Sequence, residues 1–397
     1  MNELFNLLTN KATNDFLPIF NSSSSILILI GLFLISGLII FTLMALTAMA
    51  GTYAERKISA NIQGRIGPNR VGWRGFLQPL ADSIKLLSKE DVVPREALKF
   101  GYLVAPILVF LGAFLPFVTL NFSEHLVIAS LSAGIYYILA FTALEVVGIL
   151  FASLSSASKW SLFGGMRLAA QMLAYEVPMG FCIITVVLLA GSLNLTEVVQ
   201  WQATKTWIFG WTIFRSPVAF ITFIIFFIAG LASVKRAPFD LPEAESELVA
   251  GFHTEYTGIR FAIFFLSEYA SMFVICALTV LLFLGGWVGP IPTLTEDIGR
   301  TLVDEFYYFS REENLSYFSS FLALFSSKSE GGQKIIFNEV IGFINFVIKT
   351  LFLYFMMIWI RWTMPRIRID QVLYLGFKVL LPFSMVCAIL AAIQIVL

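Results

Sequence analysis

The chain has 397 residues, of which 58% are hydrophobic and 13% charged, with equal numbers of basic and acidic side chains. Its mean hydropathy is +0.85. A soluble domain carries roughly 25% charged residues, so this composition excludes a water-soluble enzyme or a nucleic-acid-binding domain and makes lipid the solvent.

Eight apolar stretches, at 26–54, 98–121, 126–154, 163–194, 217–234, 258–288, 335–361 and 371–396, suit a helix crossing a bilayer, which takes about twenty residues. They are continuously apolar rather than alternating, which disfavours a barrel, and backbone groups in lipid find partners only inside a helix or a closed barrel. The sequence therefore predicts an all-α integral membrane protein, a single polytopic domain over 1–397. The first run is too long for a secretory signal and reads as a retained span.

Basic residues cluster after spans one, three, five and seven, from Arg56, Lys57, Arg65 and Arg70 through Lys159, Lys235 and Arg236 to Arg361, Arg366 and Arg368. The positive-inside rule puts these loops on the inner side and both termini on the outer face. Residues 291–334, with Glu296-Asp297 and Arg311-Glu312-Glu313 around an aromatic stretch, read as an outer-face insertion.

Cys182, Cys276 and Cys387 lie in apolar runs without CxxC spacing and read as unpaired thiols. His125 and His253 stand far apart in the sequence, so no metal site is expected. Walker, dinucleotide and haem motifs are absent from the sequence. Redox or nucleotide chemistry is expected to reside in partner chains.

Four features stand out, taken in chain order. After span one, Gly67-Pro68-Asn69 ends the helix, and Gly75 to Lys89 places Phe76, Leu77, Leu80, Ile84 and Leu87 on one face. That pattern predicts an amphipathic helix in the membrane interface, serving as an anionic-lipid anchor or as a ligand portal. Next, Glu145, Glu176 and Glu268 fall inside apolar spans, where an ionisable group is costly and signals function. Arg167, nine residues before Glu176, is expected to share a buried polar path with it.

The third feature is the loop from Arg236 to Glu255. Asp240, Glu243, Glu245, Glu247 and Glu255 crowd together without an intervening lysine or arginine, and mutual repulsion suits such carboxylates to hold protons near neutral pH. A helix starting near Pro242 would put Glu243 and Glu247 on one face. The fourth is Arg361, Arg366, Arg368 and Asp370 between the last two spans.

These motifs carry a family resemblance. Glu55-Arg-Lys with Arg65-Ile-Gly-Pro-Asn-Arg-Val-Gly72, then Leu77-Gln-Pro-Leu-Ala-Asp-Ser-Ile-Lys-Leu-Leu-Ser-Lys-Glu90, resembles the first inner loop of the H-type membrane subunit of respiratory complex I, an NADH:quinone oxidoreductase. Arg236-Ala-Pro-Phe-Asp-Leu-Pro-Glu-Ala-Glu-Ser-Glu247 is similar to that family's acidic loop, and Trp359 to Gln371 to its last inner loop. The resemblance runs from about Tyr53 to the C-terminus, interrupted by 291–334.

The resemblance implies a quinone-chamber subunit that anchors the hydrophilic arm and links quinone reduction to proton translocation. It implies that Arg56, Arg65, Phe239, Asp240, Arg361, Arg366 and Arg368 line or brace the chamber. It gives Glu90, Arg167, Glu176, Glu243, Glu245, Glu247, Glu255 and Glu268 to a proton-coupling chain. Quinone is then the substrate, with iron–sulfur clusters, FMN and NADH in partner subunits and no redox centre in this chain. The implied partners are the quinone-site hydrophilic subunits, antiporter-like membrane subunits and membrane lipids, in a bacterial inner membrane or its mitochondrial counterpart. A homologous component of a membrane-bound hydrogenase or ferredoxin-linked dehydrogenase and a stand-alone ion transporter are the alternatives. The sequence departs from the family pattern at Ala232-Ser233-Val234, where many members carry an acid, and Glu145 stands where a neutral residue is expected. Glu145 is accordingly assigned to the coupling chain as a partial replacement.

Overall fold

A computed structural model describes residues 23–203, 207–243, 245–290 and 331–396. Most of the expected 291–334 insertion lies outside these residues. The chain divides into two compact units, 1–46 and 47–397. Of the first, the described part is the beginning of helix α1 (Ser23–Ile62).

The second unit holds the remaining elements. In chain order these are α2 (Gln78–Ser88), α3 (Lys99–Phe114), α4 (Gly134–Ser155), α5 (Lys159–Ala190), α6 (Leu195–Ala203), α7 (Thr212–Arg215), α8 (Pro217–Ser233), α9 (Glu245–Leu248), α10 (Gly258–Phe283), α11 (Gly331–Thr363), α12 (Ile369–Tyr374) and α13 (Leu381–Val396). A π-helical turn, Leu375–Leu380, joins the last two into one rod, where Pro382 cannot donate a backbone hydrogen bond. No strand occurs among the described residues.

Among the described residues, seven helices are long and apolar enough to cross a membrane, from 20 to 32 residues each, so the chain is an all-α integral membrane protein. The fifth expected span is α8, with 17 residues. At 1.5 Å per residue it reaches about 26 Å, close to the thickness of the hydrocarbon core. Its start follows from its sequence: Pro217 occupies the first turn, and the Ser216 hydroxyl accepts from the Ala219 N–H at 3.1 Å.

Small residues set how the helices meet. A Cβ added to Gly112 on α3 would lie 2.5 Å from the Glu145 backbone nitrogen, and one on Gly148 of α4 would lie 2.8 Å from that of Val109. The α3–α4 pair therefore packs backbone to backbone, as helices in lipid do through small residues. Helix α10 is the inner member of this unit, with 67% of its most apolar window buried. The amphipathic helix expected over Gly75–Lys89 is a 3₁₀ turn, Trp73–Gly75, followed by α2 with Pro79 in its first turn.

Candidate functional site

The site is organised by the loop that leaves α8. Lys235 ends the helix in the left-handed region, with φ of 61°, a conformation few non-glycine residues adopt. Gln171 on α5 then staples the loop, its Nε2 donating to the Ala232 carbonyl at 2.7 Å and the Phe239 carbonyl at 2.9 Å. Phe239 is buried edge-on against Tyr175, 5.3 Å between ring centres. It braces the loop from behind. It does not line the cavity the loop borders.

That cavity measures about 580 Å³, and nearly half of its lining residues are charged. At its centre is Glu55, on the inner end of α1 and 7% exposed at the side chain. Its carboxylate accepts from Arg236 Nη1 at 2.7 Å, from the Tyr269 hydroxyl at 2.7 Å, and from Arg361 Nη1. Arg236 continues the network, with Nε 2.7 Å from Glu268 Oε1 and the guanidinium 4.3 Å over the Tyr269 ring. Arg366 pairs with Asp240 at 3.0 Å. The fork of an arginine suits this arrangement because it presents donors to two carboxylates at once.

Glu243 faces the same cavity from the loop. Burial pushes its carboxyl well above the usual carboxylate range; the nearby Glu268 and Asp240 charges add to this, while Lys235 and Arg236 oppose it. His253 Nδ1 is 4.0 Å away. Burial pushes that imidazole down to about 4, so it is neutral at physiological pH and forms no ion pair with Glu243 there.

Glu145 on α4 is 5% exposed, and its Oε1 lies 2.7 Å from Lys235 Nζ. The Ser271 hydroxyl donates to its other oxygen. Glu145, Lys235 and Ser233 border one small internal cavity. The acid at 145 therefore stands beside Ser233, where the sequence reading expected an acid.

A second cavity of about 230 Å³ is largely apolar and lies between the inner end of α1, α2 and α10. It shares Arg56, Phe261, Phe265 and Tyr269 with the charged cavity. Arg56 is held there by Asp82 of α2 at 2.5 Å. Arg65 lines the charged cavity and donates to Gln63 at 2.6 Å.

Other expected site residues fall elsewhere. Arg368 and Glu90 are exposed and outside both cavities. Arg167 pairs with Glu247 at 2.5 Å rather than with Glu176. Glu176 is half-buried on α5 and makes no ion pair among the described residues. Glu255 contributes its carbonyl, which accepts from the Tyr102 hydroxyl at 2.8 Å. The side chain of Glu245 lies outside the described residues. The acidic loop does not start a helix at Pro242. That residue sits in a turn, because its carbonyl is wedged against the backbone of Gly251, where an added Cβ would lie 1.7 Å away. Helix α9 begins at Glu245, so Glu243 faces the charged cavity while Glu247 pairs with Arg167.

Glu55, Tyr269, Lys235 and Ser271 are site residues that sequence reasoning did not single out. Glu55 had a usable signal, a carboxylate at the inner end of an apolar span, but it entered the sequence reading only as the start of the Glu55-Arg-Lys motif. The expectation that the histidines join no ligand cluster also needs correction. Glu124, His125 and Glu339 bring ligand atoms within 4.8 Å of one another. The fold places residues 214 positions apart side by side, with the His125 backbone N–H donating to the Glu339 carboxylate at 3.2 Å.

Comparison with known proteins matches residues 35–392 to the NADH dehydrogenase family model. The NADH-quinone oxidoreductase H subunit of Chlorobaculum tepidum is 41% identical over 359 residues, 90% of each chain. Its counterpart of the same name in Anaeromyxobacter dehalogenans is 43% identical over 333 residues, 84% of this chain and 74% of its own. NADH-quinone oxidoreductase subunit 8 of Rhodothermus marinus is 41% identical over 359 residues, 90% of this chain and 96% of its own.

Proposed function

This chain belongs to the NADH dehydrogenase family of NADH-quinone oxidoreductase H subunits, and from that premise we propose that it forms the quinone-access chamber and couples quinone reduction to proton translocation. The observation that carries the reading is the junction of the two cavities. An apolar cleft and a charged cavity meet at Arg56, Phe261, Phe265 and Tyr269. A quinone has the matching shape, an isoprenoid tail for the cleft and a polar head for hydrogen-bond donors. Pockets of this kind position a ligand through a few convergent polar groups on an apolar wall.

Arg56, Arg65, Asp240, Arg361 and Arg366 are the polar groups of the chamber in this reading. Phe239 and Arg368 brace it or its mouth from outside. The chain itself holds no redox centre. Iron–sulfur clusters, FMN and NADH belong to partner subunits, which dock on the inner side. Antiporter-like subunits lie along the membrane, and the assembly sits in a bacterial inner membrane.

The coupling groups follow the charge. Glu243 and Glu268 share one cavity with the Glu55–Arg236 pair, so a change of charge on the quinone head shifts their protonation together. Glu145, Glu176, Arg167, Glu247, Glu245, Glu255 and Glu90 extend the chain of ionisable groups outward. Because Glu145 stands beside Ser233, it takes the position of the acid missing there.

Photo-crosslinking with an azido-quinone in the intact, NADH-oxidising assembly tests the chamber. Labelling of peptides 48–56 and 261–269, displaced by unmodified quinone, is expected. Labelling that avoids both peptides while quinone reduction proceeds overturns the chamber reading.

A further inference from the structure

Six basic side chains besides His253 line the charged cavity, and five are arginines: Arg56, Arg65, Arg236, Arg361 and Arg366. The sixth is Lys235, the only lysine there among the described residues. The difference is chemical. A guanidinium does not release its proton inside a protein, whereas a buried ammonium does. Every other close ion pair in this cavity is therefore fixed on its basic side. The pair of Lys235 with Glu145 alone has an uncharged form, amine with carboxylic acid, reached by moving a single proton.

The surroundings favour such a pair. Lys235 is 4% exposed and Glu145 5%, and holding two charges out of water costs free energy that a neutral pair avoids. The charged groups around Lys235 are Glu145 from α4, Glu268 from α10, and Arg236, Asp240 and Glu243 on its own loop. On its other side the small cavity is lined, apart from the pair itself, by neutral residues, among them Thr142, Met172, Ser233 and Ser271. Lys235 thus stands at the border between the charged cavity and a neutral region within the spans.

Beyond Glu145, Ser271 has one hydroxyl proton and two acceptors, the Glu145 carboxylate and the Ser267 carbonyl at 2.9 Å. It serves one at a time. When it donates to Ser267, its lone pairs are free to accept from a protonated Glu145.

We propose that Lys235 is a proton-carrying residue of the coupling path, exchanging its proton with Glu145. The Nζ–H bond breaks as the Glu145 Oε1–H bond forms, leaving an amine and a carboxylic acid with no change in the pair's net charge. The amine then takes a proton from the cavity side, where Glu243 and Glu268 face it. Rotation of the Glu145 carboxyl turns that proton toward Ser271 Oγ, which accepts it as its own proton passes to a water molecule, so Glu145 returns to carboxylate. This deepens the coupling role proposed above and rests on it.

The test uses the whole assembly reconstituted in vesicles. Lys235→Arg keeps the cation and the ion pair but withholds the proton. NADH oxidation by a water-soluble acceptor counts assembled complexes alongside. A positioned acid–base group contributes roughly 10²–10⁴-fold, so coupled quinone reduction per assembled complex is expected to fall by about a hundred-fold, with an altered pH profile. Parental turnover with an unshifted pH profile would show that the pair is only a structural charge, and would overturn the proposal. If Lys235→Arg fails to assemble, the neutral double variant Lys235→Met with Glu145→Gln decides. Assembly without proton translocation supports the proposal, and assembly with full translocation overturns it. Should the unmodified assembly fail to reduce quinone at all, the underlying function falls, and this inference with it.

Discussion

Arg236 lies 2.7 Å from the Glu55 carboxylate across 181 residues of sequence, locking the loop after α8 to the inner end of α1. Both side chains are almost wholly buried, and Arg236 also reaches Glu268. Removing one member of a buried charge network leaves the others uncompensated, at a cost of about 3–5 kcal/mol. Arg236→Leu is therefore expected to lower the thermal stability of the detergent-solubilised chain sharply. Arg236→Lys should fall between the two, since a compact ammonium does not span both carboxylates. Equal melting temperatures for the leucine variant and the parent would contradict this role.

The helix contacts make a second prediction. Gly112→Ala and Gly148→Ala each force a methyl group against backbone atoms of the facing helix. Overpacking of this kind costs about 1–3 kcal/mol. Gly180 has open space around its Cβ position, so Gly180→Ala serves as the control and should be neutral or stabilising, because alanine is the better helix former. Thermal unfolding of the three variants side by side checks the ordering.

His253 predicts an acid limb of stability. Its folded value, pushed from 6.5 down to about 4 by burial, means the unfolded chain binds the proton more readily. Stability from the neutral imidazole is complete above about pH 6.5 and drains away as pH falls through that window toward 4, amounting to roughly 3 kcal/mol at most. His253→Leu should flatten the stability profile between pH 6.5 and 4. A profile that keeps its slope in that variant would assign the acid limb to other groups.

Glu247 separates function from stability. Its pair with Arg167 is half exposed, 52% on the acid side, and such pairs contribute less than about 1 kcal/mol. Glu247→Gln should therefore leave the melting temperature nearly unchanged while reducing proton translocation per quinone reduced, read with a pH-sensitive dye in vesicles. Full translocation in that variant would remove Glu247 from the coupling path.

Glu145 and Glu176 give a further contrast. If Glu145 takes the place of the missing acid, Glu145→Gln should depress translocation as Glu176→Gln does. Intact pumping in the first with loss in the second would confine coupling to Glu176.

The helices were legible in the amino-acid order alone, because lipid leaves backbone groups no other partner and an apolar run of twenty residues has one outcome there. Gly67-Pro68-Asn69 and the apolar face of Leu80, Ile84 and Leu87 likewise announced α2 before any fold was known. The acids of the site were visible as well, since Glu145 and Glu268 stand out against apolar neighbours. Their partners were not. Glu145 meets Lys235 across 90 positions, and Glu55 meets Arg361 across 306. Which charge faces which depends on the rotation of each helix about its axis, and that rotation is set by close approach at residues such as Gly112 and Gly148. It took the packing of distant helices to turn Arg167 to Glu247, to bring Glu243 into the charged cavity, and to pair Lys235 with Glu145.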